Sequence, residues 1–492
     1  MLHELYIRWT MPTVALLASL VSACATLPGE TPYPREIAGH ILTVRENGKP
    51  QSIASLMRRE NIPGGVNCED ADTQPSVLHA VEEPDDIDDD LSCVDLDPVA
   101  AIAAGLREHL QARPADTHVL LFVHGGLNNR RDSFQRAVEL LRKSDGPSDS
   151  YYPIFVNWRS ALLSSYWDHL SLVRQGEENR SAKFWSPLFL ATDLARAIVG
   201  APQSWVVQGK HAYDSKRKKE LFEQPVARPG TQPVVNVADA GYDYGCESSR
   251  WNAKAQGAWW LATSAAKLVT TPAVVEIGRA SWDIMLRRTQ TLFWTTDSLQ
   301  PGDGGDHDRG ALKALLDELE QLQHATPFKI TLVGHSMGAI VANRMLAEAP
   351  SLVYQRIVHM ASADSVQNTF DLTFNYLRSQ AGESTAFYSL MLHGHNENRE
   401  VSAWGLAPSG SLLAWIDNMF TTPPTSRSRT AGRWSNMRRF VSQIPESVKS
   451  RTYFTLYARD AQGHPLQHGE FDDCRFWTDA FWNGAPPEPG DN

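Results

Sequence analysis

Cysteine, basic charge and long apolar runs are all scarce in this chain, and each scarcity removes a class of protein. Five cysteines are spread over 492 residues, and their spacings match no zinc site. Acidic residues outnumber basic ones, 57 to 46, for a net charge of -11. Nonspecific nucleic-acid binding needs the opposite, a basic patch or stripe, so no nucleic-acid partner is expected. The most apolar run near the N-terminus, Val14 to Val21, falls far short of the roughly 20 residues that a bilayer span requires. There is no internal repeat. What remains is an ordinary globular composition, 42% apolar and 21% charged, long enough for one large core with insertions or for two domains.

The N-terminus reads as a targeting segment. Arg8 precedes the apolar run, and small residues follow it, as in a secretory signal peptide. Leu20-Val21-Ser22-Ala23-Cys24 resembles a bacterial lipobox. The resemblance implies that residues 1–24 are a lipoprotein signal peptide with its lipobox, that cleavage leaves Cys24 as the lipidated new N-terminus, and that the protein is anchored by that lipid in the bacterial cell envelope, facing the periplasm. Cys68, Cys93, Cys246 and Cys474 then remain. An even number permits disulfides in an oxidising compartment, with Cys68 and Cys93 the more plausible pair by proximity.

Residues 25–114 read as a short tether and an N-terminal elaboration. Its acidic run from Glu82 to Asp90 is expected to be a solvated loop, because it lacks the glycine and the spaced ligands of a calcium loop. The pattern changes at His118. Val119 to Val123 is continuously apolar, as in a strand buried on both faces. A helix over Asp132 to Lys143 follows, then a strand over Tyr152 to Trp158. Strand, helix, strand in this order predicts a parallel sheet with right-handed crossovers.

Residues 161–307 interrupt the sheet. They read as helices over Leu188 to Val199, Trp259 to Val269 and Ala280 to Phe293, and they hold eight of the 15 tryptophans. So much bulky apolar surface predicts a cap over a binding site; helices packing a small core of their own are the alternative. Within the insertion, Lys216 to Lys219 is expected to be a solvated helix end rather than a headgroup-binding patch. Trp259 and Trp260 fit core packing as well as an acyl pocket. The sheet resumes after a helix over Asp308 to Gln323. Strands are predicted over Phe328 to Val333, Arg356 to Met360, Ala386 to Leu392 and Tyr453 to Tyr457. Helices are predicted over Met337 to Ala347 and Phe471 to Phe481, and residues 486–492 are a solvated tail. The fold class is α/β: a mostly parallel sheet with helices on both faces.

Gly334-His335-Ser336-Met337-Gly338 follows a predicted strand and opens a predicted helix. A serine there sits on a sharp turn that lifts its hydroxyl clear of the sheet, and glycines on either side relieve the crowding. The Met337 backbone N–H, at the helix start, is aimed at a developing oxyanion. His124-Gly125-Gly126-Leu127 directly follows the first sheet strand. Together these motifs resemble the α/β-hydrolase superfamily, specifically its lipase and esterase branches, over residues 115–160 and 308–485.

The resemblance implies Ser336 as nucleophile and a second oxyanion donor from Gly126, or from Leu127 if the register shifts by one. It implies an acid and then a histidine further along the chain. His468, just before the last helix, is the expected base, with His464 the alternative. Asp364, ending the strand after the nucleophile helix, is the expected acid. Glu397 is the alternative, because the family's common Asp at the later strand end is replaced here by Glu or Asn. No metal or organic cofactor is called for. The expected activity is hydrolysis of a carboxylic ester, with an apolar acyl or lipid ester as the substrate. Three other outcomes stay open: an inactive scaffold binding an envelope partner, acyl transfer to an acceptor other than water, and peptide hydrolysis.

Overall fold

The structure, a computed structural model, describes residues 37–60, 97–113, 117–126, 130–142, 151–171, 182–217, 234–238, 253–295, 309–400, 408, 410–457, 465, 467–472 and 479–482. Eight strands are present among them: β1 (Ile41–Thr43), β2 (His118–Val123), β3 (Tyr152–Asn157), β4 (Val234–Ala238), β5 (Lys329–His335), β6 (Arg356–Met360), β7 (Ala386–Leu392) and β8 (Thr452–Tyr457). They form one sheet in the order β1-β3-β2-β5-β6-β7-β8-β4, and every neighbouring pair is parallel. A sheet covered on both faces needs strands that are apolar throughout. The central strands comply: Val119 to Val123, Ile330, Leu332, Val333, Ile357 and Val358 are all buried.

The longer helices are α1 (Ile53–Arg59), α2 (Pro98–Ala112), α3 (Arg130–Arg142), α4 (Leu162–Leu170), α5 (Ala182–Arg217), α6 (Ala253–Thr291), α7 (Ala311–Ala325) and α8 (Gly338–Glu348). An irregular helical stretch, α9 (366–378), has a π-helical middle over Thr369–Phe374, and α10 spans Gly394–Arg399. Local sequence explains several of these. In α2 the Asp97 side chain accepts from the Val99 N–H at 3.0 Å and Pro98 occupies the first turn, a preferred start for a helix. In α7, Leu312, Leu315, Leu316 and Leu319 are buried, at the spacing that puts them on one face.

Two strands and one helix depart from the sequence expectation. β1 lies in the segment read as an N-terminal elaboration, yet it pairs with β3 and extends the sheet. β4 lies in the insertion and pairs with β8 at the other edge. β1, with three residues, is too short for a pattern to stand out, and β4 is an isolated apolar stretch inside a segment read as helical. α6 is one helix where two were expected, and Pro272 sits inside it. Proline costs a hydrogen bond there, but α6 packs along both α4 and α5, and tertiary packing outweighs a local preference.

A chain of buried charges ties α6 to the sheet. Arg288 on α6 donates to Asp168, to the Ser165 hydroxyl at 3.0 Å and to the Arg159 carbonyl at 3.3 Å. Arg159 reaches Asp168 at 3.5 Å and Glu46 at 3.0 Å, and Arg130 also binds Glu46. Burial alone would raise the Glu46 pKa, but Arg130 and Arg159 hold it down at about 2.

The strand order sets the position of a site. From β2 the chain moves to β3 on one side, whereas β5 to β8 progress on the other. The direction reverses between β2 and β5, and in open parallel sheets the crevice at the carboxyl ends of such strands is where ligands bind. The segments leaving those two ends are His124-Gly125-Gly126 and Ser336.

Candidate active site

Ser336 occupies the tip of the turn from β5 into α8 with φ = 51°, a region that few non-glycine residues enter. The surrounding backbone enforces it. The Ser336 N–H donates to the Met360 carbonyl at 2.8 Å, and the Ser336 carbonyl accepts from Ala363 N–H at 2.9 Å and Ala339 N–H at 3.2 Å. The end of β6 thus holds the turn at both of its peptide groups. A β-carbon on Gly338 would stand 2.0 Å from the Val123 carbonyl oxygen, so only glycine allows α8 to start this close to β2.

His468 brings its imidazole to that turn. Its Nε2 lies 2.8 Å from Ser336 Oγ, and both side chains are buried. This is hydrogen-bond distance for a base taking the hydroxyl proton. The histidine opens a single 3-10 turn, His468–Asp472, whose backbone is gripped on both sides. The His468 N–H donates to Glu400 Oε2 at 3.1 Å, and its carbonyl lies 3.0 Å from His335 Nε2. A carbonyl only accepts, so His335 carries a proton on Nε2.

The glycine loop is ordered by a similar logic. His124 Nδ1 donates to the Gly125 carbonyl at 2.7 Å, its Nε2 accepts the Trp158 N–H at 3.2 Å, and Ser160 Oγ donates to the same Gly125 carbonyl at 3.1 Å. The two donors fix that carbonyl. Across a trans peptide the following N–H points the opposite way, so the Gly126 N–H faces away from His124 and Ser160. The loop abuts the serine: a β-carbon on Gly125 would be 2.9 Å from Ser336 Cβ, and one on Gly126 would be 2.8 Å from Met337 Sδ. Neither the Gly126 nor the Met337 N–H is engaged by another described residue.

The carboxylates are distributed differently from the expectation. Asp364 is buried and satisfied by Asn343 Nδ2 at 2.6 Å, Asn368 Nδ2 at 2.8 Å and the Ser365 N–H at 2.7 Å. Burial raises its pKa to about 6 against the pull of these three donors. Glu397 accepts from Ser411 Oγ at 2.6 Å and faces Arg433 Nε at 3.3 Å, while Arg433 also reaches Asp417 at 3.1 Å. Burial raises Glu397 to about 7, with Arg433 opposing. Neither carboxylate hydrogen-bonds to the His468 ring. Glu400, among the described residues, touches His468 through the backbone. Burial pushes it up to about 8; the His468 N–H lowers it, and the neighbouring Glu397 and Glu470 raise it.

Glu400 and His335 were not anticipated. Glu400 lies just past the strand end at which an acid was sought, one residue beyond α10. His335 is the variable position of the serine motif, where no residue type is demanded. Cys24, the other four cysteines, Leu127, His464, the acidic run at 82–90 and the tail lie outside the described residues.

Two cavities, of about 180 and 490 Å3, are lined by the helical insertion, the larger also by Asn418 and Met419, and share Arg196, Glu276 and Arg279. Ser336 and His468 line neither of them. Compared with known proteins, the chain matches no family model, no curated protein and no solved structure.

Proposed function

We propose that this chain is a serine hydrolase of the α/β-hydrolase type that cleaves carboxylic esters through an acyl-enzyme. The observation that carries the reading is the 2.8 Å contact between Ser336 Oγ and His468 Nε2, on a backbone turn held at positive φ. Ser336 Oγ attacks the acyl carbonyl while His468 Nε2 takes its proton. The N–H groups of Gly126 and Met337 receive the developing oxyanion. The C–O bond to the alcohol breaks, and His468 returns the proton to the departing oxygen. Water, deprotonated by the same nitrogen, then releases the acid. Glu400 and His335 position the loop that carries the base. An apolar acyl ester, a membrane lipid or a lipid-linked molecule, suits the tryptophan-rich insertion and the lipid anchor expected at Cys24 in the bacterial envelope.

One observation favours a non-catalytic scaffold instead: Ser336 is fully buried, so catalysis requires the described form to open. Hydrolysis of p-nitrophenyl esters separates the two. Turnover by the full chain that is lost in Ser336→Ala supports the enzyme; equal rates in both proteins refute it. Peptide substrates and alcohol acceptors in the same panel test peptidase and acyl-transfer chemistry.

A further inference from the structure

The described surface of α5 is unusual for a helix that packs on only one side. Asp193, Ala197, Ala201 and Ser204 face the protein and are buried. The opposite arc carries Leu188 (55% exposed), Leu194 (61%), Ile198 (68%), Val199 (81%), Trp205 (41%) and Val206 (72%). The residues between them on that arc, Ala191, Ala195 and Pro202, are also exposed and apolar. From Trp185 to Val206 the only charged residues are Asp193 and Arg196. Asp193 is buried, and Arg196, in the wall of both cavities, falls at the edge of the arc. Thr192 spends its hydroxyl on the Leu188 carbonyl at 2.8 Å. At 1.5 Å per residue the strip from Leu188 to Val206 is about 27 Å long. Trp167 on α4 is also exposed (67%), and the end of α4 meets the start of α5 where the Leu170 carbonyl accepts the Ser186 hydroxyl at 2.7 Å.

An apolar strip of this size marks a contact surface. A protein partner would be met by a polar rim and roughly one hydrogen bond per 100–200 Å2, but along this stretch polar side chains are few: Trp205 on the arc, and Thr192, Arg196 and Gln203 at its edge. Lipid acyl chains need no hydrogen bonds. The charge pattern agrees. On a chain of net charge -11, the sequence from Val207 to Lys219 carries Lys210, Lys216, Arg217, Lys218 and Lys219 against a single Asp214. Basic residues after an apolar face with tryptophans at its ends match a helix lying in the interface of an anionic bilayer.

We propose that α5 is a membrane-docking helix whose Leu188–Val206 arc lies in the headgroup and upper acyl region of an anionic lipid surface. Among the described residues no helix is long and apolar enough to cross a membrane, so the contact is with one leaflet. α5 also packs, by its other face, against α10, the helix that ends one residue before Glu400, whose carboxylate accepts the His468 N–H. The inference does not rest on the reaction assigned to Ser336.

The test uses the full chain with phosphatidylcholine–phosphatidylglycerol vesicles doped with a phospholipid bearing a photoactivatable acyl chain. Adducts are mapped by mass spectrometry. Lipid adducts are expected on peptides covering 185–206. The double variant Leu194→Asp/Ile198→Asp, both exposed, should lower them at least tenfold while the circular dichroism spectrum is unchanged. Replacing phosphatidylglycerol with phosphatidylcholine should lower them several-fold. Adducts confined to other peptides would overturn the proposal, as would cross-links between two copies through 185–206 in place of lipid adducts. Fluorophosphonate labelling of Ser336 in the same samples keeps this outcome separate from the hydrolase reading, because the double variant should label like the parent.

Discussion

Replacing Glu400 with glutamine should make the protein more stable at high pH and leave it nearly unchanged at low pH. Glu400 rises from an ordinary 4.5 to about 8 in the folded chain. The folded state therefore binds the proton more tightly than the unfolded state, and between pH 4.5 and 8 the native chain holds more protons. Stability must fall as pH rises through that window. Full conversion of the shift sets a ceiling of ~5 kcal/mol; the side chain is only partly buried, and solvent screening brings the expected effect to about 1–2 kcal/mol. Glutamine cannot ionise, yet its carbonyl can still accept the His468 N–H. Urea unfolding of both proteins at pH 5, 7 and 9 reads the difference directly. Glu400→Gln should gain on the wild type by about 1–2 kcal/mol between pH 5 and 9, with kcat changed by less than about tenfold because the hydrogen bond to the His468 N–H is kept. Parallel stability curves, or a variant that loses ground as pH rises, would refute the reasoning.

Four further outcomes follow from the geometry. His468→Ala should cut kcat for a p-nitrophenyl ester by about 10³–10⁴, while His464→Ala should change it less than tenfold; reversed effects would move the base. Asp364→Ala leaves the Asn343 and Asn368 amides without their shared acceptor, so it should cost roughly 2–4 kcal/mol in urea unfolding with kcat per folded molecule little changed. A loss of kcat on the scale of His468→Ala would restore Asp364 as the acid. Arg288→Ala removes the nearer of two arginine partners of Asp168 and leaves Arg159 at 3.5 Å, so it should destabilise by about 2–3 kcal/mol, below the cost of a fully stranded buried charge. Gly338→Ala should yield no soluble folded protein, because its methyl carbon meets the Val123 carbonyl at 2.0 Å; a folded, soluble variant would contradict the packing described.

The six strands read from sequence are the ones with a physical signature of their own. β6 and β7 fall on the predicted residues because Arg356 to Met360 and Ala386 to Leu392 are short, mostly apolar stretches followed by polar or glycine-containing segments. β1 and β4 were invisible for the opposite reason. Three residues pairing with β3, and five pairing with β8, are strands by virtue of their neighbours. The merging of two predicted helices into α6 has the same origin, since Pro272 marks a break that packing against α4 and α5 overrides. The terminal helix predicted over Phe471 to Phe481 is described only in part: a 3-10 turn at His468–Asp472 and four helical residues at Asp479–Trp482.

At the site, sequence motifs located the groups whose chemistry needs a fixed local context. The serine between two glycines and the histidine-glycine-glycine loop converge at the carboxyl ends of β2 and β5, and His468 reaches Ser336 across 132 residues. Carboxylates have no such context. Asp364, Glu397 and Glu400 all follow strand ends, and which of them touches His468 depends on how the loops after β7 and β8 fold against each other. His335 was missed because its role, a hydrogen bond to the His468 carbonyl, is a tertiary contact.

The central claim is that the Ser336 hydroxyl is a nucleophile activated by His468. Incubating the full chain with a fluorophosphonate and locating the adduct by mass spectrometry tests it most directly. A single phosphonyl group on Ser336, absent from Ser336→Ala and strongly slowed in His468→Ala, is the predicted result. A folded protein that acquires no adduct at Ser336 at any accessible pH, or that labels equally fast without His468, would contradict it.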